Sequence, residues 1–338
     1  MIGIEIPRKN RSRRYRGALG AVTALAIGFA TMAGNAAETV PVRFAYLGVN
    51  TANIYFAFGV ENGIFERHGI DLDIITFQRG GPEIIAAAAS QQVDMGVLGT
   101  PVLAGISRGF PIKVVGAPAL KGQEFVLVGR PDITSIDQLV GQNVGVAAVG
   151  GGQAQALQII LRAEEIDPKT VGSIAYGSPG NGYVSLKSGQ LAGAILSEPN
   201  ISRLVVEGSG TILAEAKDYY GRYQHSYIFS TDAFIEAHPD TLKAFFEASA
   251  EAIQYSLDHR AELLDFAEQT LDIERPTLEA VLERQLAEWD PSQQIDEEGL
   301  LNAVAIVQSA GDIDADYQPD LEAIIDRRFI PNTENSND

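Results

Sequence analysis

The chain has 338 residues, 46% of them hydrophobic and 20% charged, with no cysteine and a formal net charge of −19. That length suits two domains and that composition suits packed cores, while the lack of cysteine excludes disulfides, thiolate nucleophiles and thiolate metal sites. The acidic balance argues against nucleic acid as a partner, because a phosphate backbone needs a basic footprint, and against an anionic membrane surface.

The N-terminus departs from this balance. Arg8, Lys9, Arg11, Arg13, Arg14 and Arg16 form a basic stretch, residues 18–34 are uncharged, small and apolar, and Ala36 and Ala37 offer small residues for cleavage. This is the pattern of a secretory signal. The alternative, a membrane anchor, needs a longer apolar run than these 17 residues. Removing residues 1–37 takes away six basic residues and one acidic residue and moves the net charge from −19 to −24. An exported chain without disulfides is expected in a bacterial periplasm.

The elements then alternate. Residues 42–47 read as a strand, followed by a glycine turn in which Asn50 or Thr51 can cap a helix. That helix carries Ile54, Phe58, Ile64 and Phe65, and Gly69 closes it. Residues 72–77 are a second strand. Arg79, Gly80, Gly81 and Pro82 then open an alanine-rich helix. A short strand follows within residues 92–101, and further strands at 112–116 and 125–128, the last passing between lobes. A second series begins at Pro131: a short capped helix from Ser135, a strand at 144–147, a glycine run at 150–152 opening a helix at Gln153, a strand at 173–176, and a turn at 178–182 containing Asn181. Strands at 211–213 and 227–230 lead the chain back, Tyr227 starting the return strand. From His238 onward the pattern is helical, with Leu242, Phe245, Phe246, Ala250 and Ile253 on one stripe.

One stretch occurs twice. Residues 92–101 (QVDMGVLGTP) are echoed 98 positions later by residues 190–199 (QLAGAILSEP), so that Thr100 corresponds to Glu198 and Pro101 to Pro199. Upstream, residues 42–48 (VRFAYLG) resemble residues 144–150 (VGVAAVG). Duplicated strand–turn–helix units predict an α/β chain of two similar lobes with a cleft between them, where ligands bind outside the carboxyl ends of the strands. The boundaries expected are a signal at 1–37, lobe one at 38–127 and 218–331 with the C-terminal helices bracing it, lobe two at 128–217, and a disordered tail at 332–338.

Motifs for covalent chemistry are weak. Residues 105–109 (GISRG) fit the nucleophile pattern G-x-S-x-G, but Ser107 follows a helix rather than a strand, the reverse of what the elbow requires. No Walker loop or GxGxxG fingerprint is present, and His68, His225, His238 and His259 are scattered without metal-ligand spacing. No cofactor, metal or catalytic residue is therefore expected. What the pattern offers instead is a set of helix starts at equivalent places in the two lobes: Asn50 and Thr51, Arg79 and Gly81, Thr100, Gly151 with Gly152 and Gln153, Asn181, and Glu198. Helix N-termini with glycine turns present peptide N–H groups to an anion, and Arg79 adds a formal charge. Glu198 would repel a bare anion and favour one that also carries an amino group. Tyr55, Tyr176, Tyr183 and Tyr227 could line an aromatic-tolerant pocket, with Arg222 and His225 supplying charge from the crossing segments.

The run F56-x-x-G59-x-x-x-G63-I-F65-x-x-x-G69-I-D-L-D73 resembles the opening of periplasmic solute-binding proteins of sulfonate, nitrate and taurine importers, a family that includes thiamine-pyrimidine proteins. Val93-Asp94, Gly96, Pro111, Gly141, Glu198-Pro199 and His238-Pro239 continue the resemblance over residues 40–310. It implies a type II periplasmic-binding fold that closes on its ligand and docks to an ABC permease and its ATPase. Two departures stand out. Gly151 and Gly152 replace the Ser or Thr of many sulfonate binders, and the cysteine-rich motif of the pyrimidine-synthesising enzymes is missing. The expectation is a monomeric, non-enzymatic receptor for a small organic anion such as a sulfonate or taurine. The alternatives are a receptor for a pyrimidine or aromatic carboxylate, a periplasmic sensor, or a hydrolase.

Overall fold

The computed structural model describes residues 39–48, 50–77, 80–122, 125–149 and 152–331. The expected signal at 1–37 and tail at 332–338 lie outside the described residues, as do the candidate site residues Arg79 and Gly151.

Ten strands form two five-stranded mixed sheets. The strands are β1 (Val40–Tyr46), β2 (Ile70–Thr76), β3 (Met95–Leu98), β4 (Ile112–Gly116), β5 (Val126–Gly129), β6 (Asn143–Val146), β7 (Gly172–Ala175), β8 (Gly193–Leu196), β9 (Thr211–Glu215) and β10 (Tyr227–Thr231). The first sheet runs β2-β1-β3-β10-β4 and the second β7-β6-β8-β5-β9. The plans match strand for strand. β1 is parallel to β2 and β3, and β10 is antiparallel to β3 and β4. In the second sheet β6 is parallel to β7 and β8, and β5 is antiparallel to β8 and β9. The repeated stretches are thus β3 and β8 with the turns that follow them. The boundary expected after residue 127 falls inside β5. Val126 to Gly129 pair in register with Leu196 to Gly193, which puts that whole strand in the second sheet.

Among the described residues, thirteen α-helices accompany the sheets. They are α1 (Ile54–Glu61), α2 (Ile64–Arg67), α3 (Gly81–Ala89) and α4 (Pro101–Ser107) in the first series, then α5 (Gly152–Ala163), α6 (Pro179–Lys187) and α7 (Asn200–Val206) in the second. The C-terminal series is α8 (Asp232–Ala237), α9 (Pro239–Asp258), α10 (Arg260–Leu271), α11 (Arg275–Leu286), α12 (Glu297–Ser309) and α13 (Leu321–Ile324). The single helix predicted through Ile54 and Phe65 is broken in two. Gly63 takes φ 67°, a left-handed conformation natural to glycine, and α2 starts after it.

Apolar side chains alternate along β1, so Phe44 and Tyr46 face α1 and α9. The Phe44 ring lies 4.6 Å from that of Phe56 and 5.5 Å from that of Phe245. Phe245 and Phe246 on α9 are fully buried, and burial of such a side chain stabilises by about 1.5–3 kcal/mol. Of the expected stripe on α9, Ala250 alone stays partly accessible. The C-terminal helices are expected to brace the first lobe. α11 has two partners. Leu278, Leu282 and Leu286 join the core behind β1, while the helix also packs on α7 beside the second sheet.

Candidate functional site between the two sheets

The chain passes from the first sheet to the second between β4 and β5 and returns between β9 and β10. Helix starts gather around these crossings through a line of close contacts. A Cβ on Gly81, at the start of α3, would lie 2.6 Å from Pro101, at the start of α4. A Cβ on Gly99 would lie 3.0 Å from Nε2 of His225, on the return crossing. The His225 ring lies 6.2 Å from that of Phe125, on the outward crossing, and a Cβ on Gly152 would lie 3.4 Å from Phe125. The starts of α3, α4 and α5 therefore converge on the crossing segments. Glycine at these points permits the approach of one backbone to the next.

A cavity of about 340 Å³ lies alongside the crossings, between α11 and the second sheet. Leu120, Val126 and Ile201 give it an apolar part. The rest is charged. Glu198, which follows β8, is joined there by Glu215 at the end of β9, Lys217, Arg284 of α11 and Glu288 just beyond that helix. Arg284 spans two carboxylates: its Nε is 3.1 Å from Glu198 Oε1 and its Nη1 3.1 Å from Glu215 Oε1. Lys217 Nζ is 3.1 Å from Glu215 Oε2 and 2.9 Å from Glu288 Oε1. Lys121, a third cation of the lining, sits 2.7 Å from Asp290 Oδ2. Each cation lining this cavity is thus already paired with a carboxylate.

The titration behaviour follows from this packing. The Glu198 side chain is 6% exposed. Burial pushes its pKa above the usual value, although Ser202 and Arg284 pull the other way. Burial acts upward on Glu215 too, but Arg284 and Lys217 outweigh it and hold its carboxyl below the usual value. Burial lowers His225 to about 4, so its ring is neutral at physiological pH.

The expected site residues divide. Asn50 Oδ1 accepts the N–H of Asn53 at 3.2 Å and caps the turn before α1, which buries Thr51. Thr100 holds the cap position of α4 without a capping bond from its side chain. With Gly81 and Gly152 these stay at helix starts. The tyrosines do not line the cavity. Tyr55 and Tyr227 are fully buried, Tyr55 accepting the N–H of Ala119 at 3.3 Å and Tyr227 donating to the Gln224 carbonyl at 2.5 Å. Tyr176 is buried against Gln153, which turns inward, and Tyr183 is tied to Glu207 on the surface. Asn181 donates to the Tyr176 carbonyl at 3.1 Å and lines a separate hollow of about 430 Å³ on the outer edge of the second sheet. That hollow is larger but has no charged side chain in its lining and lies away from the crossings. Arg222 is spent on Asp296 and Glu298. Ser107 Oγ donates to the Ala104 carbonyl at 3.0 Å within its own helix turn, an arrangement without a base.

Sequence reasoning missed Arg284, Glu215, Lys217 and Phe125. The first lay within a helical region that offered only an amphipathic stripe, and no spacing links it to Glu198, 86 positions away.

Comparisons with known proteins agree with this architecture. The family described as NMT1/THI5 like matches residues 49–263, more than half of the chain. A putative aliphatic sulfonates-binding protein of Bacillus subtilis is 23% identical over 273 residues, covering 79% of this chain and 79% of its own length. The taurine-binding periplasmic protein of Escherichia coli is 25% identical over 195 residues, 57% of this chain and 60% of its own. The crystal structure of the periplasmic aliphatic sulphonate binding protein of Escherichia coli superposes with a TM-score of 0.70 at 16% identity, covering 84% of this chain and 97% of that one. The two sheets thus have the periplasmic-binding-protein fold.

Proposed function

The chain belongs to the NMT1/THI5-like family, and from that premise we propose that it is the solute-binding component of an ABC importer. In this reading it is an exported, monomeric receptor without enzymatic activity. It captures a small organic anion of the sulfonate or taurine kind between its sheets and delivers it to a membrane permease and its ATPase. Closure would turn about the two crossings, as in hinged binding proteins.

The observation that carries the reading is the 340 Å³ cavity at the crossings, lined by charges of both signs. Its size falls within the range of small-molecule sites. A bare anion brought to Arg284 would also meet Glu198 and Glu215. A ligand with an amino group as well as an anionic group places each charge beside its opposite. Outside the cavity's own lining, the starts of α3 and α5 lie against Pro101 and Phe125, and their peptide N–H groups would favour an anion without a formal charge. Asn50, Gly81, Thr100 and Gly152 are proposed contacts on this basis, with Arg79 and Gly151 carried from the sequence. The aromatic-carboxylate and pyrimidine alternative is weaker because Tyr55, Tyr176 and Tyr227 are turned into the core.

A thermal-shift screen of the chain without residues 1–37 tests the proposal, with taurine, alkanesulfonates, nitrate and aminopyrimidines as probes. A ligand at 100 times its dissociation constant adds about 2.7 kcal/mol, which raises the midpoint by a few degrees. A shift with taurine or a sulfonate is expected. A shift with aminopyrimidines alone would overturn the ligand class and keep the receptor.

A further inference from the structure

Glu198 sits at the carboxyl end of β8, where the second sheet meets the cleft. Its two oxygens are held from opposite sides. Ser202, on α7 of its own half, donates its N–H to Oε2 at 3.0 Å and its hydroxyl to Oε1 at 2.9 Å. The formal charge that answers it comes from the other half: Arg284 of α11, at 3.1 Å. α11 is anchored through Leu278, Leu282 and Leu286 in the core behind the first sheet, so Arg284 reaches Glu198 only while the two halves are together. The remaining charges of the lining are Glu215 on β9, Lys217 beyond it, Glu288 just after α11 and Lys121 on the outward crossing. Lys217 and Lys121 are engaged with Glu215, Glu288 and Asp290. Arg284 is the cation within ion-pair distance of Glu198 among the described residues.

We propose that Arg284 is a positioning residue of the cleft, which holds the Glu198 carboxyl in place when the halves are shut and links it to Glu215 beside it. The inference rests on the reading of the cleft as a ligand site, and it assigns the control of that site's charge to a helix that belongs to the opposite half. With Arg284 present, the wall offers a carboxylate and a guanidinium side by side, the pairing a doubly charged ligand needs. Without it, a carboxyl that is 6% exposed has only the hydrogen bonds of Ser202 and takes up a proton more readily.

Carboxyl ¹³C NMR of glutamate-labelled protein tests this, with the Glu198 signal assigned by its loss in Glu198→Gln. Arg284→Met is expected to raise the Glu198 titration midpoint by about one pH unit or more, the size of shift an opposite charge at this range produces. Arg284→Lys is expected to restore most of that shift, which a merely structural role would not do. If Arg284→Met fails to fold, Arg284→Gln keeps a polar side chain and removes the charge. An unchanged Glu198 midpoint in either neutral variant overturns the proposal. Calorimetry with taurine on the same proteins separates the two readings. A wild-type chain whose midpoint depends on Arg284 but which gives no heat with taurine removes the ligand and leaves the positioning role. Taurine binding with no dependence of Glu198 on Arg284 does the reverse.

Discussion

The Tyr176 hydroxyl lies 2.5 Å from Oε1 of Gln153 and 2.9 Å from the Ile195 carbonyl, and Gln153 Oε1 also accepts the N–H of Ala147 at 2.7 Å. One side chain at the start of α5 thereby ties down the end of β6, and its tyrosine partner reaches β8. Gln153 serves the second sheet, although its place at a helix start suggested a ligand contact. Gln153→Leu leaves the Ala147 N–H without its acceptor and is expected to cost about 1–3 kcal/mol. Urea unfolding checks it: the midpoint falls while the slope stays the same.

Tyr55 has a similar duty in the first half. Its hydroxyl accepts the N–H of buried Ala119, in the outward crossing, and its ring meets Trp289 edge-on at 5.3 Å. Tyr55→Phe keeps the ring and orphans that N–H, with an expected loss of about 1–2 kcal/mol. Taurine affinity measured by calorimetry is expected to stay within twofold of wild type, because the ring lies in the core. A large loss of affinity at unchanged stability would place Tyr55 in the site after all.

His225 predicts a pH dependence. It is neutral in the fold, with a pKa near 4 against an ordinary 6.5. The unfolded chain takes up this proton first as pH falls. The stability contribution is therefore complete above pH 6.5 and is lost progressively down to pH 4. At 1.36 kcal/mol per unit the loss is at most about 3 kcal/mol. His225→Gln is expected to flatten the stability curve across that window. Asp290, Asp296 and Asp326, all held below the usual aspartate value, give a separate loss at lower pH that the variant retains. Denaturant midpoints measured from pH 7 to 3.5 distinguish the two limbs.

Backbone proximity gives a fourth test. Ala45 on β1 pairs with Gly96 on β3, and a Cβ on Gly96 would lie 2.6 Å from the Ala45 carbonyl oxygen. Gly96→Ala is expected to destabilise by about 1–3 kcal/mol through overpacking, seen as a lower thermal midpoint. The second sheet solves the same contact with the residues exchanged, Gly145 on β6 pairing with Ala194 on β8. Gly145 is itself crowded, its added Cβ lying 2.5 Å from Leu191.

Local pattern carried much of this molecule. The echo of residues 92–101 at 190–199 marked β3 and β8 because a short apolar run before a proline-led helix is legible without partners. The turn at Ser135 was legible for the same reason: Gln138 Oε1 takes the Thr134 N–H at 2.7 Å, a bond four residues long. Arg284 was not legible, because an ion pair across 86 positions leaves no periodicity. Nor can composition tell a tyrosine whose hydroxyl finds a backbone carbonyl, such as Tyr227, from one that waits for a ligand. Gly63 shows a third limit. An apolar stripe continues through it, and the left-handed turn that breaks the helix is a backbone event.

The position of β10 also sets an order of assembly. It lies between β3 and β4, so the first sheet stays in two pieces, β2-β1-β3 and a lone β4, until the chain has come back to residue 227. The second sheet draws all five strands from one unbroken segment, Val126 to Glu215. Contacts between near neighbours in sequence form ahead of those that must close a long loop. The half encoded in the middle is therefore the one that can condense first. The half encoded at the outside must leave the edges of β3 and β4 open until its last strand slides in between them. Export or synthesis that stalls between residues 215 and 227 would release a chain with a finished second sheet and an unpaired, aggregation-prone gap in the first.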